Sequence, residues 1–293
     1  MFSKVISAIL RGHWMIEPSW AHSHLPQVAK VLQGESFISP AGHAQRTSHS
    51  PLCIHPDGKT GFVQAYSYSQ LWDAPAGSVA MIPISGPIIK YDGACMEPGS
   101  MTLSNWVQQA DAAPNISGIL LYCDTPGGQV DGTQTLVDSI AACSKTTVAY
   151  IHDGMLCSAG YWIASACNHI YASQATDVVG SIGVLTSFYD FRDSLKEMGI
   201  AYHEIYAPQS TDKNIEYREA LAGNYAPMER DLSFLAEQFI GSVRRFRGAK
   251  LNTSVSNPFT GKTYFAQEAT SIGLIDGICS LEHAILLASG ELK

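Results

Sequence analysis

Charge is scarce in this chain. Of its 293 residues only 15% are Asp, Glu, Lys or Arg, against about 25% in an ordinary soluble protein. A surface so poor in charge points to part of it being covered, for example by contacts between subunits. The charge that is present leans acidic, since 18 Lys and Arg against 26 Asp and Glu leave a net −8. The basic patch of a nucleic-acid binder is missing, so no nucleic-acid partner is expected. Disulfide and metal frameworks are missing too. The seven cysteines stand scattered at 53, 95, 123, 143, 157, 167 and 279 with no CxxC pair. An odd, dispersed set reads as reduced thiols of a cytoplasmic protein. No apolar run reaches the roughly 20 residues of a membrane span, so no transmembrane segment is expected. The opening MFSKVISAILRGHWMI does not read as a secretory leader. Its apolar stretch Val5–Leu10 is cut by Arg11 and His13, and no small-residue cleavage site follows. Phe2, Val5, Ile6, Ile9 and Leu10 instead fit one face of a short amphipathic helix, docked on the protein or offered to a membrane surface or partner.

What the chain does have is apolar content, at 46%. That is enough for a sizeable core and rules out disorder as the default. The length allows one large domain or two small ones. Residues 1–75 stand apart. They carry His13, His22, His24, His43, His49 and His55 and turn signals such as Ser39-Pro40-Ala41-Gly42 and His55-Pro56-Asp57-Gly58. They read as an N-terminal extension of loops with a helix near 24–33. His22-x-His24 lacks a Cys or carboxylate at ligand spacing and reads as loop surface, so no metal is expected.

From residue 76 to 293 strand and helix patterns alternate. Val79–Ile84, Gly118–Cys123, Thr147–Ile151, His169–Ala172, Val178–Leu185 and His203–Ala207 read as strands, with Ile88–Ile89 continuing the first after Gly86-Pro87. Leu103–Ala112, Gly132–Cys143, Ser158–Cys167, Tyr189–Met198, Pro227–Arg247 and Ala266–Ile272 read as helices, the last capped by Gly273. Regular alternation of this kind predicts an α/β fold with buried, largely parallel strands. In such folds chemistry gathers at strand-to-helix turns.

Two turns stand out. Asp124-Thr125-Pro126-Gly127-Gly128 follows the apolar run GILLYC, and Cys157-Ser158-Ala159-Gly160 opens a helix of small residues. A serine at a helix start has free N–H groups beside it and the positive end of the dipole, both favourable to an oxyanion. The same position is the common place of a capping serine. Gly127 and Gly128 allow close approach of backbone to a ligand, and N–H groups there can complete an oxyanion hole. A serine nucleophile needs a base. His169, His203 and His283 sit in no evident motif. A lysine serves once its pKa falls from about 10.4 toward 7–8. Of Lys196, Lys213, Lys250, Lys262 and Lys293, Lys213 lies in the polar segment QSTDKN, a plausible loop over a site or a plain surface lysine.

Asp124-Thr125-Pro126-Gly127-Gly128, then Ser158-Ala159-Gly160-Tyr161-Trp162-Ile163-Ala164, then Gly180-Ser181-Ile182-Gly183-Val184 follow one another in order. Together they resemble the DSPGG, SGGYYIA and GSIGV motifs of the signal peptide peptidase A family of serine peptidases, peptidase family S49. Phe265-Ala266-Gln267-Glu268-Ala269 and Ile272-Gly273-Leu274-Ile275-Asp276-Gly277 are similar to its closing signature, so the resemblance covers about residues 77–280. It implies the Clp protease/crotonase fold of stacked ββα units and a Ser–Lys dyad. Ser158 matches the nucleophile, and Lys213 the lysine that follows the strand after GSIGV. Ser181 matches the serine that orients the amine, and Gly127, Gly128 and Ala159 the oxyanion hole. Two departures are present: Ala159 replaces a glycine, and the run Ala207-Pro208-Gln209-Ser210-Thr211-Asp212 lacks the glycine that usually precedes the lysine.

The resemblance further implies a protein or peptide substrate, no cofactor, and a homo-oligomer whose active sites form where subunits meet. The opening Trp14-Met15-Ile16-Glu17-Pro18 resembles the phage branch, whose members process scaffold or capsid proteins, which would place the chain in the host cytoplasm or procapsid. The alternatives are a peptidase that degrades cleaved signal peptides, an acyl-CoA enzyme on the same fold, and an inactive scaffold-binding protein.

Overall fold

The computed structural model of the chain describes residues 14–16, 50–57, 61–67, 71–93, 97–188 and 190–292. Strands β1 (Trp14–Ile16), β2 (Leu52–Asp57), β3 (Gly61–Ser67) and β4 (Ser78–Ser85) come first, followed by helix α1 (Ser100–Ala112). Then come β5 (Ile116–Thr125), β6 (Gly127–Gln129), α2 (Thr133–Ala141), β7 (Thr146–Cys157), α3 (Ala159–Ser165), β8 (His169–Ala172) and β9 (Val178–Gly180). The last part holds α4 (Arg192–Glu197), α5 (Ile215–Leu221), α6 (Ala226–Arg247), β10 (Thr263–Phe265), α7 (Ala266–Ile272), β11 (Gly277–Ile278) and α8 (Leu281–Ser289). The helices near residues 1–10 and 24–33, His22, His24 and Cys95 lie outside the described residues. None of Cys53, Cys123, Cys143, Cys157, Cys167 and Cys279 forms a disulfide.

The main sheet runs β10-β9-β7-β5-β4-β2-β3, and its centre β4, β5 and β7 is parallel. Burial on both faces demands this apolar centre. Alternate residues point to opposite sides. Ile82, Ile119, Leu121, Ala149 and Ile151 pack in one core with α1, α2 and α3, while Val79, Leu120 and Val148 pack in another under Ala284, Ile285 and Ala288 of α8. β2 and β3, from within residues 1–75, extend the same sheet, because β2 pairs antiparallel with β4.

Helix positions follow from helical spacing. α1 buries Leu103, Val107 and Ala110, and α6 buries Phe239, Val243 and Arg247. α3 is buried on every side, and its Trp162 stacks on Phe239 with ring centroids 5.0 Å apart.

β7 carries the feature that sets up the site. Its first half pairs with β8 through Val148–Ile151, and its last residues Met155–Cys157 pair with β9. Between them the register against β5 slips: Cys123 faces Ile151, but Thr125 faces Leu156. The extra residues form a bulge in which Asp153 takes φ +46°. Two carboxylates hold it. Asp124 Oδ1 accepts the Met155 N–H at 3.2 Å, and Asp177 Oδ1 accepts that of Gly154 at 3.0 Å.

Ile88–Ile89 does not continue β4 and makes only an isolated bridge from Ile88 to Gly128, and two further expected strands differ. Val178–Leu185 shortens to Val178–Gly180, because Ser181 turns to φ +53° and leaves the extended region. His203–Ala207 is no strand. A strand needs a ladder partner; among the described residues none pairs with it, and Ile205 is 93% exposed.

Candidate active site

Parallel pairing brings the motif ends together. Cys157 lies opposite Gly180, so Ser158 and Ser181 leave neighbouring strands side by side. The Ser158 N–H donates to Gly180 O at 2.8 Å, and the Ser181 N–H to Lys262 O at 2.9 Å. Both serines have φ +53°, a region that L residues avoid at a cost of about 1–3 kcal/mol. Ser158 is not a capping serine: its side chain makes no bond to the first turn of α3. Ser158 O accepts from Trp162 N at 3.0 Å, which starts the helix ladder at the serine itself. The N–H of Ala159 therefore belongs to the first turn, which has no intrahelical acceptor.

The Gly127–Gly128 turn sits one strand over, where Thr125 of β5 pairs with Leu156 of β7. Thr125 Oγ1 donates to Gly86 O at 2.7 Å and accepts the Gly127 N–H at 3.2 Å. The Gly127 N–H is thus engaged, and Gly128 carries the other donor of the pair. Along its other edge this turn is stitched to Ile88: Ile88 N–H to Gly127 O and Gln129 N–H to Ile88 O, both at 2.8 Å. A Cβ on Gly128 would stand 2.0 Å from Ile88 O, so no larger residue fits. β1 runs antiparallel beside the turn, with Trp14, Met15 and Ile16 opposite Gln129, Gly128 and Gly127.

The structure therefore gathers Ser158, Ala159, Ser181, Gly127 and Gly128. No hydrogen bond joins the Lys213 side chain to any of them among the described residues. Lys213 is exposed, in a turn whose N–H donates to Ser210 O at 3.2 Å, and its side chain has no ion-pair partner among the described residues. Ser158 itself is 1% exposed and Ser181 5%. A cavity of about 280 Å³ lies lined by Met81, Pro83, Tyr122, Asp124 and His152 and does not include Ser158. Sequence reasoning assigned no role to three positioning groups: Asp124, Asp177 and Thr125. Asp124 and Thr125 were visible as the head of the glycine motif. Asp177, which also accepts from Ser173 and Gln174 N–H groups, carried no signal.

The family profile described as Peptidase family S49 matches residues 141–293, and that of Clp protease matches residues 99–178. Capsid assembly protease C of Escherichia phage lambda is 29% identical over 95% of this chain and 63% of its own length. Protease 4 of Salmonella typhi is 25% identical over 79% of this chain and 37% of its own. The chain thus spans less than two thirds of these relatives. A solved membrane-bound stomatin-specific protease covers 73% of this chain and 84% of that one, with 18% identity and a TM-score of 0.47. Among the described residues no helix is long and apolar enough to cross a membrane.

Proposed function

The chain belongs to peptidase family S49, and from that premise we propose that it is a serine endopeptidase working through a Ser158–Lys213 dyad. One observation carries the reading. Ser158 stands at a strained strand end beside Ser181 and Gly128, with its hydroxyl released from helix capping. In the reaction Ser158 Oγ attacks a peptide carbonyl carbon while the neutral Lys213 amine takes the hydroxyl proton. The Gly128 and Ala159 N–H groups hold the oxyanion. Collapse of the tetrahedral intermediate breaks the C–N bond, and the lysine passes its proton to the leaving amine. Water, deprotonated by the same lysine, then hydrolyses the acyl-enzyme. Ser181, beside Ser158, orients the amine.

Lys213 meets Ser158 across a contact between copies of the chain. The exposed position of Lys213 supports this, as does the apolar run beside it, with Met198 69%, Tyr202 63% and Ile205 93% exposed. Runs of this kind mark interaction surfaces. The similarity to a capsid assembly protease supports a protein substrate of viral head assembly.

The test is digestion of an unfolded protein by wild type and by Ser158→Ala, read by mass spectrometry. Cleavage by wild type alone is the expected result, and the fragment ends then give the specificity. Equal cleavage by both would remove Ser158 as nucleophile.

A further inference from the structure

We infer that the chain closes its own active site: the segment Trp14–Ile16 occupies, as an antiparallel strand, the edge of Gly127–Gln129 on which a substrate must bind. This inference rests on the reading of Gly128 as an oxyanion donor. Backbone direction carries it. The Gly127 C=O and the Gln129 N–H both face Ile88. In a trans peptide chain the groups alternate from edge to edge. The Gly128 N–H and C=O therefore face the opposite edge, where β1 sets Met15 directly across from Gly128. At such a position antiparallel strands exchange both bonds. The donor that would stabilise the oxyanion is thus directed at the Met15 backbone. The direction of the occupant also matters. Trp14 lies opposite Gln129 and Ile16 opposite Gly127, so the Met15 carbonyl is the acceptor across from the Gly128 N–H.

Two further observations agree. Ile16 is 6% exposed, so the segment is seated through a buried side chain and not merely laid on an edge. Ser158, at 1%, and Gly128 are buried in this closed arrangement. Substrate and β1 cannot share one edge, so β1 acts as an intramolecular competitor. A competitor of this type raises KM by the inverse of the open fraction and leaves kcat unchanged.

The experiment uses the full chain. Met15→Pro deletes the N–H facing Gly128 O, and a ladder cannot keep a proline there. Ile16→Ser removes the buried anchor and guards against a fold defect peculiar to proline. Each is measured for cleavage of an unfolded protein, alone and combined with Ser158→Ala, and each for hydrogen exchange in peptides covering Gly127–Val130. The expected result is a KM lower by about tenfold, the scale of one lost backbone bond, with kcat unchanged, activity abolished by Ser158→Ala, and exchange at Gly128 faster than in wild type. A KM that stays the same or rises in both variants, while Ser158-dependent cleavage persists, overturns the inference. If no variant cleaves in a Ser158-dependent way, the proposed peptidase reading fails, and exchange decides on β1 alone. A Gly128 amide protected in wild type and released in the variants upholds the closure; one unprotected in wild type overturns it.

Discussion

Ser158 holds a backbone conformation, φ +53° and ψ −120°, that favours glycine. An inert capping serine has no need of it, so the strain separates placement for chemistry from placement for folding. Ser158→Gly relieves the strain and stabilises the fold by about 1 kcal/mol, while Ser158→Ala, still strained, leaves stability nearly unchanged. Both abolish cleavage. Thermal unfolding beside the digestion assay checks the pair, and equal melting points for the two variants would count against strain at this residue. A second prediction concerns Asp124, whose carboxylate is bonded to the Met155 N–H in the bulge leading to Ser158. Asp124→Ala frees that bulge and misplaces the serine. Kcat falls by about tenfold or more, the scale for displacements under an ångström or so, with KM little changed. Asp124→Asn keeps an accepting oxygen and most of the activity. Equal loss in the two variants would point to charge and not to position.

At the scale of elements, the sequence was readable where an element satisfies itself inside this chain. Ala266–Ile272 was found to the residue, and Leu103–Ala112 and Pro227–Arg247 to within three, because each buries a regular face. Ser158, Ser181 and the Gly127–Gly128 turn were legible as motif positions, although the strands read as Thr147–Ile151 and Val178–Leu185 end instead at Cys157 and Gly180. The bulge of β7 was not. What keeps His152-Asp153-Gly154 in the strand are carboxylates far away in sequence, Asp124 and Asp177. His203–Ala207 failed for the reverse reason, being strand-like in composition but without a ladder partner among the described residues. The same remoteness governs the joint between α6 and the loop after α7. Arg247, 1% exposed, meets Asp276 Oδ2 at 3.1 Å, and Lys250 meets Oδ1 at 2.7 Å. Burial works to raise the Asp276 carboxyl, but the bonds from Arg247 and Lys250 outweigh it and hold the group below its ordinary value. A lowered carboxyl stabilises the fold fully above its unfolded value of about 3.9 and loses that contribution as pH falls through the lower, folded value. Unfolding followed from pH 7 into acid therefore shows wild type losing stability below about pH 4. Asp276→Asn is less stable at pH 7 by about 3 kcal/mol, since Arg247 stays buried without its counter-charge. Its acid-side slope is correspondingly shallower. A slope equal to that of wild type would show that Asp276 does not set it.

For the whole molecule, the decisive question is where the base comes from, since one copy holds Ser158 buried and Lys213 exposed. A chain with 15% charged residues and an apolar run at Met198, Tyr202 and Ile205 left open has surface to give to a second copy. Closed symmetric assemblies repeat one contact, so every Ser158 would meet a neighbour's Lys213 in the same way. This makes a prediction by mixing. Ser158→Ala and Lys213→Ala are each inactive alone. Combined in equal amounts and allowed to exchange subunits, they place an intact serine against an intact lysine at about one contact in four. Cleavage then returns to about a quarter of the wild-type rate. A lysine acting within its own chain gives none, because no copy holds both groups. Ile205→Glu supplies the control. With Ile205 93% exposed, the substitution leaves the fold of one copy intact but sets a charge in the contact. Light scattering then shows smaller particles, and activity falls with size. Restoration in the mixture together with loss on dissociation locates the lysine across the contact; a fully active Ile205→Glu monomer would place it within the chain.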